Sequence, residues 1–361
     1  MTPYLEIQDT LRRAPRRWLV TGAAGFIGSH LVETLLRLEQ TVVGLDSFVT
    51  GHERNLDDVA LRVGPEAFRR FQLIEGDIRD PQTCVSAATD VDVILHQAAL
   101  GSVPRSMVDP QSSHAANVDG FVNVLLAAHA AKVPRVVYAS SSSVYGDELS
   151  EPKVEERRGN PLSPYAATKL INEVYADTFR RTHAIQSVGL RYFNVFGPRQ
   201  DPAGAYAAVI PRWTEQLISG GPCVVFGDGN ASRDFCYVDN VVQANLLAAL
   251  APSERLGDGV FNVACGARTS LLDLFEMIRN LVAASRPAAG RAELKREAPR
   301  PGDILHSLAS IDRARNRLAY RPEFDVRSGM IHTVRFYIEQ ADRAERSSGT
   351  SEAAQPAREA S

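Results

Sequence analysis

The stretch Arg17-Trp18-Leu19-Val20-Thr21-Gly22-Ala23-Ala24-Gly25-Phe26-Ile27-Gly28 constrains this chain more than any other. A short apolar run meets a glycine cluster, and the cluster opens a helical pattern over 26–38. Strand, tight turn and helix in that order are the setting of a dinucleotide-binding fingerprint. Glycines let the backbone turn sharply and let a pyrophosphate approach without meeting a Cβ. The freed N–H groups and the helix dipole then favour an anion. A second apolar run, 41–45, ends in Asp46, eighteen residues after Gly28, about where a ribose-binding carboxylate belongs. Such a carboxylate accepts hydrogen bonds from a 2′-hydroxyl and repels a 2′-phosphate, which favours NAD over NADP. Without that context a glycine triplet is only a tight strand-helix turn.

Further short apolar runs lie at 71–75, 90–96, 135–139 and 184–191. They alternate with helical patterns, long at 112–131 and 163–181, the latter starting at a Ser163 cap followed by Pro164. Such alternation implies βαβ units and an α/β fold, a Rossmann-type doubly wound parallel sheet with its ligand at the carboxyl ends of the strands. After Tyr192, Gly, Pro and aromatic residues become frequent, with helices expected near 210–219, 240–250 and 271–283 and one more strand at 259–264. This part reads as a smaller C-terminal substrate-binding lobe. The expected division is a lead-in over 1–15, a dinucleotide-binding domain over 16–192 rejoined by about 236–265, a substrate lobe over 193–340, and a small, polar, disordered tail over 341–361.

A net charge of −3 over 361 residues gives no bulk electrostatic reason to bind nucleic acid. Cys84, Cys223, Cys236 and Cys265 are scattered, so neither a zinc site nor a disulfide framework is indicated. No apolar run reaches membrane-spanning length, and the N-terminus lacks a basic region followed by an apolar stretch, so a cytoplasmic protein without membrane contact is expected.

Tyr165 and Lys169 form the strongest catalytic pair. Their i, i+4 spacing puts both on one helical face. A nearby ammonium, and the positive charge of an oxidised nicotinamide, lower a phenol's pKa, so the tyrosine can serve as a general base. The bland alternative is a surface Tyr and a solvated Lys. Upstream, Ser140-Ser141-Ser142-Ser143 ends a strand; four small hydroxyls suit a catalytic edge, or simply a polar turn.

Together these features resemble the extended short-chain dehydrogenase/reductase family over roughly residues 17 to 337, and within it bacterial UDP-N-acetylhexosamine 4-epimerases and the related uronate 4-epimerases. The separated motifs behind this include His96-Gln97-Ala98-Ala99-Leu100-Gly101-Ser102-Val103-Pro104-Arg105-Ser106, Leu190-Arg191-Tyr192-Phe193-Asn194-Val195-Phe196-Gly197, Asn230-Ala231-Ser232-Arg233-Asp234-Phe235-Cys236-Tyr237 and Arg300-Pro301-Gly302-Asp303. The resemblance implies that Gly22, Gly25, Phe26, Ile27 and Gly28 hold the pyrophosphate of a tightly bound NAD, and Asp46 its adenosine ribose. Thr50 and Gly51 would line the same pocket, and Asp77 and Ile78 would contact adenine. Gln97, Ala98 and Ala99 would pass beside the cofactor, with Asn117 bracing the loop and Tyr192 and Phe193 beside the nicotinamide. Tyr165 would be the base, Lys169 would hold the nicotinamide ribose, and Ser141 would bond the reacting sugar hydroxyl, with Ser142 and Ser143 beside the sugar.

By the same resemblance Asn194, Arg233 and Arg300 would bind the diphosphate of a UDP-sugar, Asp303 its ribose or an arginine, and Val225 and Phe226 the uridine. Bidentate guanidinium groups suit a diphosphate. Each arginine alone reads equally as half of a surface salt bridge. Gly101 and Ser102 would lie by the sugar. Gly101 stands where hexose-preferring relatives commonly carry lysine, and Ser307 where many carry a bulky residue, so both imply room for an acetamido group.

The expected activity is therefore NAD-dependent UDP-N-acetylglucosamine 4-epimerisation through a 4-keto sugar, or the same reaction on the uronate, in a homodimer formed by the helices at 112–131 and 163–181. Arg105 or Ser102 would serve a uronate carboxylate. A 4,6-dehydratase would need an acid/base pair where Ser142 and Ser143 stand. A catalytically silent NAD-binding scaffold is the rival from another class.

Overall fold

The computed structural model describes residues 2–203, 207–299 and 305–352, with side chains to 346. Two compact units result: Met1–Val195 with Arg233–Arg268 and Ser307–Asp325, and Phe196–Ser232 with Thr269–His306 and the chain from Val326. The chain thus returns twice to the first unit, and the second return, at 307–325, carries no signal in the sequence.

The first unit begins with α1 (Pro3–Arg13), β1 (Arg17–Thr21), α2 (Phe26–Arg37), β2 (Thr41–Asp46), α3 (Glu53–Phe68), β3 (Phe71–Glu75), α4 (Pro81–Ala87) and β4 (Val93–His96). It continues with α5 (Val103–Val108), α6 (Pro110–His114), α7 (Gly120–Ala130), β5 (Arg135–Ser141), α8 (Pro164–His183), β6 (Gln186–Tyr192), α9 (Val238–Leu250), β7 (Val260–Val263) and α10 (Asp312–Leu318). One device starts four of these helices. Thr2-Pro3, Asp80-Pro81, Asp109-Pro110 and Ser163-Pro164 each place a side-chain oxygen as acceptor for an N–H of the first turn, with proline at the first helical position.

The seven strands form one parallel sheet in the order β7-β6-β5-β4-β1-β2-β3. This is the dinucleotide-binding order, and it reverses between β1 and β4. Alternate residues feed two cores. Trp18, Val20, Val137 and Leu190 face one with Leu31 and Leu35 of α2 and Leu246 of α9. Leu19, Ile94, Val136 and Tyr138 face the other with Phe121 and Leu125 of α7 and Phe179 of α8. The register aligns the carboxyl ends: Thr21 stands beside His96, and Ser141 beside Tyr192, which stands beside Val263.

Two expectations need correction. The helix expected over 112–131 is α6, a π-turn at Ala115–Asp119, and α7. The π-turn is where Asn117 turns to the loop after β4. The stretch after 54, for which the sequence suggested nothing, is α3, kinked where Gly64 has φ +80° before Pro65. The lead-in forms α1, whose Tyr4 and Leu11 are buried in the first core.

In the second unit the helix Val209–Ser219 packs with the helix Leu271–Ala283, Trp213 meeting Phe275 edge to face at 5.8 Å. Strand Cys223–Phe226 pairs in parallel with Leu294–Glu297. The last helix, Val326–Glu352, runs through 341–352, where a disordered tail was expected. Its buried Met330, Val334, Phe336 and Tyr337 anchor the start, and helical propagation carries the rest. Residues 353–361 lie outside the described residues. No described helix is long and apolar enough to cross a membrane.

Candidate active site

The β1–α2 turn is shaped by what a Cβ would displace. Gly22 has φ +70°, and a Cβ on it would lie 2.8 Å from the Ala98 nitrogen. A Cβ on Gly28 would lie 1.9 Å from the Gly22 carbonyl oxygen. Backbone bonds from Gly22 to Leu45 and from Gly25 to Gly22 close the turn. No side chain caps α2 at Gly25, so its first N–H groups are offered to a ligand.

Asp46, at the end of β2, is buried. Its carboxylate accepts from the Ala24 N–H at 2.8 Å and the Phe48 N–H at 2.9 Å. A Cβ on Gly51 would come within 2.7 Å of Asp46 Oδ1, so glycine keeps that side open, and Thr50 is exposed beside it. A glycine cradle, a bare helix N-terminus and a buried carboxylate at the next strand end fit a dinucleotide with a free ribose 2′-hydroxyl. Asp77 is paired with Arg79 at 2.6 Å, which lowers its pKa. Ile78 is buried, and its carbonyl accepts from Asn123 Nδ2 at 3.0 Å.

At the end of β5, Ser141 Oγ accepts from the Ser143 N–H at 3.1 Å and from the Ser143 hydroxyl at 2.9 Å. Its own proton is thereby left to favour the Tyr165 phenolate, whose pKa Ser141 lowers. Burial pushes the Tyr165 phenol up, and the Ser141 bond pulls it down. Ser106 Oγ accepts the Tyr165 N–H at 3.0 Å and fixes the start of α8. One turn on, Lys169 is buried, donates to the Ala139 carbonyl at 2.9 Å, and is brought down by burial to about 8. The Tyr165 and Lys169 pair of α8 and Ser141 of β5 therefore meet at one strand end.

These observations coincide with an independent one. The sequence profile of the NAD dependent epimerase/dehydratase family matches residues 18–264.

The chain belongs to this family.

Its relatives include the UDP-glucose 4-epimerase of Mycolicibacterium smegmatis, 39% identical, with 89% of this chain and 98% of that protein covered. Among solved structures, a UDP-N-acetylglucosamine 4-epimerase from Methanobrevibacter ruminantium M1, in complex with UDP-N-acetylmuramic acid, is 34% identical. It superposes with a TM-score of 0.82 over 90% of this chain and 99% of that one. A UDP-glucuronic acid 4-epimerase from Bacillus cereus, in complex with UDP-glucuronic acid and NAD, is 31% identical, with a TM-score of 0.78 and 90% and 99% covered. The epimerase/dehydratase chain is accordingly NAD-dependent.

The family's catalytic edge carries support that the sequence did not reveal. Tyr192 donates to Gln97 Oε1 at 3.0 Å, Gln97 Nε2 donates to Asn245 Oδ1 at 3.2 Å, and Asn245 Nδ2 donates to Tyr192 at 2.9 Å. This closed ring ties β4, β6 and α9 together. Asn245 did not stand out, because α9 also carries Asn240 and Gln243 among its apolar residues. Thr21 and His96 are joined at 2.8 Å, and Thr21 Oγ1 accepts the Ala98 N–H at 3.2 Å; burial brings His96 down to about 3, so the ring is neutral. Asn117 grips the loop after β4, accepting the Leu100 N–H at 2.7 Å and donating to its carbonyl at 3.2 Å. Ala99 lies in that loop, half-buried.

Gly101 is exposed, and a Cβ built there meets nothing within 4 Å, so glycine is not forced by packing. Ser102 caps α5 through the Arg105 N–H. Asn194, at φ +33°, donates to the Asp234 carbonyl at 3.2 Å, next to Arg233. Asp234, fully buried, accepts from the N–H groups of Cys265, Gly266 and Ala309 and so anchors both Arg233 and the segment of Ser307. Val225 is buried and Phe226 half-buried, on the paired strand of the second unit. Arg300 and Asp303 lie outside the described residues.

Proposed function

We propose that this chain is a nucleotide-sugar 4-epimerase that interconverts UDP-N-acetylglucosamine and UDP-N-acetylgalactosamine. The assembly of Tyr165, Lys169 and Ser141 beside the glycine cradle carries this reading. Gly22, Gly25, Phe26, Ile27 and Gly28 would hold the NAD pyrophosphate, Asp46 the adenosine ribose and Lys169 the nicotinamide ribose. NAD supplies, when bound, a reversible acceptor for the hydride at the sugar C4. Tyr165 takes the proton of the 4-hydroxyl. Ser141, whose single proton Ser143 leaves unused, donates it to whichever of the two oxygens carries the negative charge. The Lys169 ammonium favours the phenolate electrostatically. Returning the same proton from Tyr165 to the opposite configuration completes a cycle without net redox, which favours a cofactor retained between turnovers.

The open space at Gly101 and the small Ser307 support an acetamido sugar over plain hexose. Arg233 and Asn194, with Arg300, are assigned to the diphosphate. A homodimer is proposed through α7 and α8, where Leu126, Val174 and Tyr175 are exposed.

The test is purified protein without added cofactor, mixed separately with UDP-N-acetylglucosamine, its 6-uronate and UDP-glucose, with products read by proton NMR. Conversion of the acetamido sugar is expected. Conversion of the uronate alone would keep the mechanism and replace the substrate. Inertness toward all three, with NAD supplied, would sink the enzyme reading.

A further inference from the structure

Lys169 and Glu173 stand one turn apart on α8, the spacing at which a lysine and a glutamate pair on a helix face. Their heads reach consecutive residues of β5, since Lys169 Nζ donates to the Ala139 carbonyl at 2.9 Å and Ser140 Oγ donates to Glu173 Oε1 at 2.6 Å. Yet Glu173 is taken by Arg191 of β6, from Nε to Oε1 and from Nη2 to Oε2, both at 2.8 Å. The guanidinium is fixed in turn by the Glu155 carbonyl at 3.2 Å and by the Tyr145 ring, whose centroid lies 4.8 Å away. The Arg191 and Glu173 side chains are 4% and 8% exposed.

We propose that Arg191 is a positioning residue that holds Glu173 away from Lys169 and so leaves the Lys169 ammonium free to act on Tyr165. The inference rests on Tyr165 and Lys169 as the proton-transfer pair. Without Arg191 the buried Glu173 carboxylate is uncompensated, which is strongly unfavourable, and the next cation within a turn is Lys169. A Lys169–Glu173 pair carries no net charge, so Tyr165 loses the field that favours its phenolate. Among the described residues, the other groups facing this corner do not replace that field. His96 of β4 is neutral. Tyr138 of β5 and Tyr145 after it are phenols pushed up by burial. Glu155 is anionic or neutral and accepts the Asn262 N–H at 2.8 Å.

The test compares Arg191→Met, Arg191→Met/Glu173→Gln and Arg191→Lys. One readout is kcat/KM for UDP-N-acetylglucosamine against pH. The other is the phenolate absorbance titration with the Tyr165→Phe spectrum subtracted, which needs no turnover. Arg191→Met is expected to move the acidic limb and the phenolate titration upward by about one pH unit or more. The double variant, lacking both charges, returns both midpoints to the wild-type positions. Arg191→Lys, which keeps the charge but loses the fork, shows a smaller shift, and it decides the matter alone if Arg191→Met does not fold. Lowered thermal stability with unmoved midpoints, or a shift that survives in the double variant, overturns the proposal. A Tyr165→Phe enzyme that still epimerises would instead remove the assignment beneath it.

Discussion

At the β1–α2 turn the proposed binding surface is the backbone itself, and three glycines act by what they lack. At the β5–α8 corner the surface is made of side chains, each held by another: Ser141 by Ser143, Tyr165 by Ser106, Lys169 by the Ala139 carbonyl. The first region has one steric requirement, which a Cβ at Gly22 or Gly28 violates outright. The second has a network of polar requirements, where a lost partner leaves a fold standing but misplaces a proton. The two regions should therefore fail differently when disturbed.

The largest effect on turnover belongs to the corner. Tyr165→Phe removes the proton acceptor and leaves the turn intact, so kcat should fall by about 10²–10⁴ with NAD still retained. Rate assays beside cofactor extraction check this. Loss of NAD together with activity would merge the two regions and break the comparison. The turn should answer in stability. Gly28→Ala places a Cβ 1.9 Å from a carbonyl oxygen that cannot retreat without opening the turn, a cost of about 3 kcal/mol. Gly25→Ala, whose Cβ would stand 3.1 Å from the same oxygen, is the matched control. Thermal melts should separate the two alanines, and both should bind NAD less well.

What the sequence disclosed follows the same division. Gly22, Gly25, Gly28 and Asp46 were legible because the turn is local, and its requirement is written in residues a few positions apart. Tyr165 and Lys169 share a helix, and the Ser163-Pro164 cap announces its start, so that pair was legible too. The ring of Gln97, Tyr192 and Asn245 was not. It joins three elements, 148 residues apart at the widest, through common polar residues that have no fixed spacing. Asp234 escaped for the same reason, as did the pairing of Glu173 with Arg191. The π-turn at Ala115–Asp119 escaped because one inserted residue leaves the apolar pattern of a helix almost unchanged. Resemblance supplied the residues proposed to touch ligands, and coordinates supplied the residues that hold them.

Lys169 makes the comparison quantitative. Burial has brought its pKa from 10.5 to about 8, so at neutral pH the fold carries a buried cation that it disfavours. Between pH 8 and 10.5 the unfolded chain binds this proton and the folded chain does not, so this group's contribution to stability rises with pH across that window and is least favourable below it. Lys169→Met should therefore raise stability at pH 7 by roughly 2–3 kcal/mol while abolishing activity. The advantage over wild type should shrink through that window and vanish above it. Melts of both proteins at pH 7 and pH 10.5 decide the point. A destabilised variant at pH 7 would mean that the bond to the Ala139 carbonyl outweighs the cost of burying the charge.

The smallest effect should come from Asn245, which touches neither reacting atoms nor the glycine turn. Asn245→Leu keeps the volume and removes its bonds to Tyr192 and Gln97 Nε2, together with its bond to the Val241 carbonyl one turn back, which stays within the helix ladder. Tyr192 and Gln97 keep their bond to each other, so only one donor and one acceptor lose a partner, a cost of about 1–2 kcal/mol. Because Gln97 lies directly after β4, beside the proposed nicotinamide path, part of that cost should appear as cofactor loss, with NAD released about tenfold faster during dialysis. An equal loss of stability with unchanged NAD retention would make the ring a brace for the sheet alone. Faster release with an unchanged melt would place Gln97 and Tyr192 within the cofactor site itself, as a third kind of support that neither glycine sterics nor the proton-transfer corner provides.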